Sequence, residues 1–232
     1  MRQNSENLIR LQNVCRSYRL GKTVVPALRE VALEIGSKDF CVIAGPSGSG
    51  KTSLLNLAGL VDKPDKGKIW WDGRDITPCS LNSLFRMRRD RIGYIFQTFN
   101  LIPVLSVFEN VEYPLLLCRI HRKKRREIVD AVLEEVGLYE RKKHKPKELS
   151  GGERQRVSIA RAVVKNPDVV LADEPTANLD SVTGKKILDL MFSLHLEKGI
   201  AFVFSSHDPR IFGMGKKLVR LRDGIVENIE EN

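Results

Sequence analysis

The run Gly45, Pro46, Ser47, Gly48, Ser49, Gly50, Lys51, Thr52 combines three kinds of group. Its glycines let backbone N–H groups turn toward one point, a lysine adds an ammonium, and a threonine adds a hydroxyl. That set fits a nucleotide's phosphates with a magnesium ion: the ammonium near the β- and γ-oxygens, the hydroxyl on the metal. About a hundred residues on stands a second glycine-rich stretch, Leu149-Ser150-Gly151-Gly152-Glu153. A helix beginning there offers N–H groups and a positive end to a phosphate. It has no lysine or metal-binding hydroxyl of its own. One complete and one incomplete phosphate site in a chain imply that the second completes the site of another molecule.

Carboxylates come next. The apolar run Val169-Val170-Leu171-Ala172 ends in Asp173 and Glu174. A buried parallel strand delivers such residues to its C-terminal edge, where α/β sheets bind ligands. Asp173 can hold magnesium through water, and Glu174 can orient or deprotonate an attacking water. The plainer alternative is an acidic pair capping a helix. His207 follows another apolar run, Ala201 to Ser205, and can hold a water or the γ-phosphate. Gln97 follows Ile92 to Phe96 and can touch magnesium or water without adding charge. Tyr18 can stack on an adenine.

These residues need strands and helices to hold them. Leu8 to Val14 and Ala27 to Ile35 alternate apolar and polar, as half-buried antiparallel strands do. Phe40 to Ala44 is a short buried run feeding the first glycine loop, and Thr52 to Leu60 follows as a helix. Lys68 to Trp71 with Asp72-Gly73 predicts a strand and turn. The pattern is helical from Ser106 to about Gly137, from Glu153 to Lys165, and from Ser181 to about Glu197. Strands alternating with helices give an α/β fold with a parallel sheet covered on both faces. The stretch of about 99–150 reads as a helical subdomain inserted into it.

The 232 residues are 42% hydrophobic, enough to bury a core. No apolar run approaches the roughly 18–20 residues that span a bilayer. The polar stretch Met1 to Asn7 has no signal-peptide pattern, so a cytosolic chain is expected. The four cysteines lack C-x-x-C spacing, which argues against zinc, and Cys41 falls in a strand as a core residue. The net charge of +10 gathers in Arg86 to Arg91, Arg119 to Arg126 and Arg141 to Lys147. Few aromatic residues interrupt these runs, which weakens a nucleic-acid reading. An acidic lipid surface, an acidic partner and a plain solvated face remain open.

Together these residues resemble the ATP-binding subunit of an ABC transporter, over nearly the whole chain and in the family's order. Gly45 to Thr52 matches the Walker A loop, Val169 to Glu174 matches Walker B with its catalytic glutamate, and Leu149 to Glu153 matches the signature. Gln97 matches the Q-loop, Asn178-Leu179-Asp180 the D-loop, His207 the switch histidine and Tyr18 the A-loop aromatic. Two departures are Thr52-Ser53 after the lysine and Ser205-Ser206 before His207; the magnesium hydroxyl is kept. The resemblance implies a P-loop NTPase parallel sheet core with an antiparallel β subdomain, about 1–98 and 151–232, around an α-helical signature subdomain of about 99–150. It implies ATP and magnesium, the metal held by Thr52, Gln97 and Asp173, with catalysis by Glu174, His207 and Gln97. It also implies a head-to-tail homodimer in which Ser150, Gly151 and Gly152 of one copy close on the other's γ-phosphate.

Phe99-Asn100-Leu101-Ile102-Pro103, Glu109-Asn110-Val111, Leu171-Ala172-Asp173-Glu174-Pro175-Thr176 with Asn178-Leu179-Asp180-Ser181, and Thr183-Gly184 resemble the LolD/MacB branch. That likeness implies two transmembrane permease subunits, a membrane-fusion or periplasmic partner, and a peripheral place on the cytoplasmic face of the cell membrane. Lipoprotein release or export of macrolides or peptides would be the work done. Gly67-Lys68-Ile69-Trp70 and Asp75-Ile76-Thr77 resemble the division ATPase FtsE, which would relay ATP state to a periplasmic hydrolase instead. Permease docking is expected near Gln97 to Val111, where Phe99, Leu101, Ile102, Leu105 and Phe108 are either a docking cluster or core. Repair-type ABC proteins need a longer insertion than the stretch from Lys51 to Ser150, and translation types carry two Walker loops; no nucleic-acid partner is expected.

Overall fold

The structure, a computed structural model, describes residues 7–213 and 215–231. Residues 1–6, on which most of the signal-peptide expectation rests, lie outside them. From Asn7 run β1 (Asn7–Leu20), β2 (Thr23–Gly36), β3 (Phe40–Ala44), α1 (Lys51–Ala58), β4 (Lys66–Trp71), β5 (Arg74–Asp75) and α2 (Leu81–Arg91). Then come β6 (Ile92–Ile95), α3 (Val107–Leu117), α4 (Arg122–Glu135), α5 (Gly151–Val163), β7 (Val169–Asp173) and α6 (Ser181–Lys198). β8 (Ala201–Ser206), α7 (Pro209–Phe212), β9 (Lys217–Arg222) and β10 (Ile225–Glu231) follow. Two compact units result, one from the chain before residue 89 and after residue 200, the other from residues 89–200.

In the first unit β1 pairs antiparallel with β2 and β4, Leu11 opposite both Leu33 and Ile69. One face is apolar and buried, including Val14, Leu28 and Val31, which is why the sequence alternates. Asp72 and Gly73, both at positive φ, turn β4 into β5, as a two-residue hairpin of this hand requires. β3 lies between β8 and β9, parallel to both, and is buried along its whole length. A strand covered on both faces has no polar side to alternate. Phe40 contacts Phe202 and Phe204 at 5.9 and 5.1 Å between ring centroids. Leu54, Leu55 and Leu57 of α1 are buried, each contributing about 1.5–3 kcal/mol relative to exposure.

In the second unit β6 and β7 pair in parallel, Ile92 opposite Val169 and Ile95 opposite Ala172. α5 packs on α3, α6 and β6, through a face that includes Val157, Ile159 and Ala160. The helical stretch from Ser106 to Gly137 is two helices rather than one. α3 opens on a Ser106–Glu109 capping box, Arg119 takes a positive φ in the turn, and α4 ends before Gly137 at φ 69. α2 and the β9–β10 hairpin go beyond the sequence reading; α2 buries only Leu84 and has no apolar stripe to reveal it. Parallel core strands, an antiparallel β layer and a helical region are all present, as the α/β class requires. Among the described residues no helix is long and apolar enough to cross a membrane.

Candidate functional site

In the first unit β3 ends at Ala44 and the glycine loop follows directly. Ala44 pairs with Ser206, so the register brings Gly45 and His207 out at one level. Both line a cleft of about 430 Å³, with Pro46 and Arg220. His207 is exposed there, beyond the buried end of β8. Gly45 cannot be replaced cheaply: a Cβ there would overlap the Leu221 carbonyl oxygen. The loop is braced from behind, with Gly224 N–H donating to the Ser49 carbonyl at 2.9 Å and Arg29 N–H to the Gly224 carbonyl at 2.8 Å.

Lys51 curls back into the loop. Its Nζ donates to the carbonyl oxygens of Gly45 at 2.8 Å and Pro46 at 2.9 Å, and the residue is 6% exposed. Gly50, in the left-handed conformation, begins α1 without a side-chain cap. The helix's first N–H groups and positive end therefore face the loop rather than a capping oxygen. Ser49 Oγ is buried and lacks a hydrogen-bond partner among the described residues. A buried orphan hydroxyl beside an uncapped helix start and an ammonium is a donor set that fits phosphate oxygens. Thr52, one residue into α1, is exposed and its hydroxyl suits a hard cation such as magnesium.

Tyr18 lies near the end of β1 with its hydroxyl donating to Asp62 Oδ2 at 2.7 Å. The Arg16 guanidinium covers one ring face at 4.9 Å from the centroid. Arg16 itself is held by Asp62 and Asp65 at 2.8 and 2.9 Å. Tyr18 is thereby tied to the segment that follows α1.

In the second unit β7 brings Asp173 to its C-terminal end, half-buried, with Glu174 next at φ 44. A non-glycine residue in that region is strained and is common at functional sites. The parallel register puts Gln97, two residues past β6, level with Glu174. Asn178 ties these loops, donating from Nδ2 to the Gln97 carbonyl at 2.8 Å. Buried Gln155 of α5 donates to the Pro175 carbonyl at 2.7 Å. The capping alternative for the acidic pair fails: Asp180 caps α6, accepting from Val182 and Thr183 N–H at 3.1 and 2.9 Å. Bonds from Thr183, side chain and then backbone, hold the Asp180 carboxyl below its ordinary range.

The second glycine stretch opens α5. Ser150 Oγ accepts from Glu153 N–H at 3.2 Å, while Glu153 Oε2 accepts from Ser150 N–H at 2.9 Å and from its hydroxyl at 2.8 Å. These bonds hold the Glu153 carboxyl below the usual range, the backbone donor contributing most. The box takes the third N–H of the helix and leaves those of Gly151 and Gly152 outside it. A Cβ on Gly152 would lie 2.7 Å from Thr183 Cγ2, so this glycine also lets α5 approach α6 closely.

Sequence reasoning missed Arg161. Its guanidinium donates to the carbonyls of Asn100 at 2.5 Å and Phe99 at 2.8 Å, both at positive φ. An arginine inside the apolar run Ile159 to Val164 was the available signal. Phe99, Leu101, Ile102, Leu105 and Phe108 are half-buried, while Phe96 and Val104 beside them are exposed.

The first unit thus carries the strand, glycine loop and helix of a P-loop nucleotide-binding protein. A family model described as ABC transporter matches residues 28–177. The chain is 42% identical over 228 residues to an uncharacterized ABC transporter ATP-binding protein, MJ0796, of Methanocaldococcus jannaschii, covering 97% of each. A solved dimeric structure of MJ0796 in a post-hydrolysis state with ADP and Pi aligns with a TM-score of 0.88 at 41% identity, covering 96% of this chain and 98% of that one. The macrolide export ATP-binding/permease protein MacB of Syntrophobacter fumaroxidans is 40% identical over 95% of this chain, which spans only 31% of that relative's length. The chain belongs to the ABC transporter family as an ATP-binding cassette, and it is an ATPase of the ABC type.

Proposed function

We propose that two copies of this chain pair head to tail around two ATP molecules and drive a pair of transmembrane permease subunits. In each composite site Lys51, the Gly45–Gly50 loop and the Ser49 hydroxyl hold the phosphates of the chain's own nucleotide. Ser150 and the N–H groups of Gly151 and Gly152 reach the γ-phosphate from the other copy. Tyr18 stacks on the adenine with the ring face that Arg16 leaves. Thr52, Asp173 and Gln97 are the residues that would hold magnesium, whose chemistry is to neutralise charge building on the phosphates. Glu174 orients and deprotonates the attacking water, and His207 holds that water or the γ-phosphate in place. ATP affinity for the closed pair then becomes a closing motion.

The observation that carries the paired reading is the contrast between the two glycine helix starts. α1 is uncapped and has Lys51 at the loop's centre. α5 is self-capped, has no lysine, and keeps two glycine N–H groups outside its cap. The dimeric MJ0796 structure supports the same pairing.

The similarity to the macrolide export protein MacB supports export of a macrolide-type substrate; a peptide-type substrate or lipoprotein release, and a peripheral position at the cytoplasmic membrane face, are the other parts of this proposal. A membrane-fusion or periplasmic partner belongs to that reading. The permease would seat near Gln97 to Val111, beside exposed Phe96 and Val104. Glu174→Gln should bind ATP with magnesium, fail to hydrolyse it, and run as a dimer by size exclusion with light scattering. A variant that binds ATP yet stays monomeric overturns the composite site.

A further inference from the structure

The capping box that opens α5 uses both donors of Ser150. A serine hydroxyl has one proton to give, whereas an ionised carboxylate can only accept. Bonds from the Ser150 backbone and then its side chain hold the Glu153 carboxyl below its ordinary range, so it is ionised at neutral pH. The Ser150 hydroxyl therefore gives its proton to Glu153 Oε2, at 2.8 Å. The same oxygen accepts the Ser150 N–H at 2.9 Å. Arg141 Nε lies 3.5 Å from the other oxygen, Oε1. The carboxylate is fixed from two sides, and the hydroxyl has no proton left for another acceptor.

The start of α3 shows what is particular to α5. Ser106 and Glu109 make the same three bonds, the Ser106 N–H and hydroxyl each reaching Glu109 Oε2 at 2.7 Å and the Glu109 N–H reaching Ser106 Oγ at 3.2 Å. Holding the hydroxyl proton is thus a property of the Ser–Glu pair. The next two N–H groups differ. In α3 they are occupied, Val107 donating to the His144 carbonyl at 2.8 Å and Phe108 to the Lys142 carbonyl at 2.9 Å. In α5 those of Gly151 and Gly152 have no partner among the described residues. The box of α3 completes a closed helix start, whereas that of α5 sets a carboxylate beside two open donors.

We infer that Glu153 withholds the Ser150 proton from the γ-phosphate and so limits how tightly two copies close on ATP. This rests on the head-to-tail pairing proposed above, in which Glu153 is a positioning residue acting through Ser150. A γ-phosphate carried by the other copy meets two open glycine N–H groups but must take the hydroxyl proton from a carboxylate. Both acceptors are anionic, so the exchange is nearly balanced and Ser150 adds little to closure. The carboxylate also offsets the partial positive charge by which a helix start attracts phosphate. Glutamine would complete the same box through its amide oxygen, keeping the two bonds to backbone N–H groups. As a neutral acceptor it gives up the hydroxyl proton more readily, because hydrogen bonds to ionised groups are roughly twice as strong. Glutamate thus keeps the closed pair weaker, and a weaker pair reopens faster.

The test is sedimentation equilibrium of the full chain with ATP and magnesium, in a Glu174→Gln background that does not turn the nucleotide over. Adding Glu153→Gln should tighten the dimer about 25-fold, at about fivefold for each of the two composite sites. With Ser150→Ala also present, the gain from Glu153→Gln should fall to about fourfold, the share owed to the lost charge alone. Glu153→Gln by itself should melt within about 4 °C of the wild type, because the box persists. A dimer that tightens while the fold is unchanged is a result that a merely structural glutamate would not give. If Glu174→Gln forms no dimer with ATP, the pairing itself is wrong and this inference goes with it. If that dimer forms, an unchanged or weaker dimer on adding Glu153→Gln overturns the inference and leaves the pairing standing. An equal gain with Ser150→Ala does the same, since the hydroxyl proton would then have no part.

Discussion

Asn178 Nδ2 lies 2.8 Å from the Gln97 carbonyl oxygen, a bond between residues 81 apart in the chain. It joins the loop after the Asp173–Glu174 carboxylates to the loop after β6. Arg161 grips the next residues of that second loop through the Phe99 and Asn100 carbonyls. Gln155, on the same helix, holds the Pro175 carbonyl. α5, which starts at the second glycine stretch, is therefore bonded to both loops.

Replacing Asn178 by Ala removes one bond between two otherwise supported loops. Such a bond is worth about 1 kcal/mol, so kcat should fall about fivefold while the KM for ATP changes little. The melting temperature should drop by only about 2–4 °C. Steady-state ATPase assays beside thermal melts check this. An unchanged kcat would mean that the tie has no part in positioning Gln97.

Lys51→Met removes the ammonium that closes the loop on the Gly45 and Pro46 carbonyls. A charge-assisted bond is worth about 1.5–3 kcal/mol, so ATP affinity should fall about 10- to 100-fold by calorimetry. Unchanged affinity would take Lys51 out of the phosphate site.

The parts legible in the sequence were those with a local cause. β3 and β7 are short runs buried on both faces, and the loop after β3 carries its glycines and lysine in consecutive positions. α2 was hidden because Leu84 alone is buried on it. The middle of α3 and α4 blurred because both are apolar at helix spacing, and a short turn separates them, with Arg119 at positive φ and His121 extended. What local pattern cannot encode is which polar group meets which. Asn178 with Gln97, Gln155 with Pro175, and the orphan Ser49 hydroxyl arise when distant segments are brought together.

Glu153 stands at the third position of α5, where either Glu or Gln completes a capping box. Glu153→Gln should keep both bonds to Ser150, whereas Glu153→Ala should lower unfolding free energy by about 1 kcal/mol in urea. The carboxyl is held below its ordinary value by Ser150. Its stabilisation is therefore complete above the unfolded value of about 4.3 and fades as pH falls through the lower folded value. Glu153→Gln should be flat across that window. Identical acid profiles for the two proteins would exclude the carboxylate as the source.

For Lys165 folding disfavours the charged form instead of favouring it, yet stability again rises with pH. Burial pushes its ammonium from 10.5 down to about 8, and Arg89 adds to that, while Cys118 and Asp90 oppose it. Its Nζ donates to the Arg89 carbonyl, a bond that the neutral amine can also make. Below pH 8 the lysine is charged in both folded and unfolded chains, and the folded state bears the full cost of burying it. Between about 8 and 10.5 the unfolded chain binds more protons, so stability rises with pH by up to about 1.4 kcal/mol per unit from this group. Lys165→Met has no such titration. The stability of the wild type relative to this variant should therefore climb across that window, as read from urea unfolding at several pH values. Parallel curves would show that Lys165 keeps an ordinary lysine's proton affinity in the folded chain.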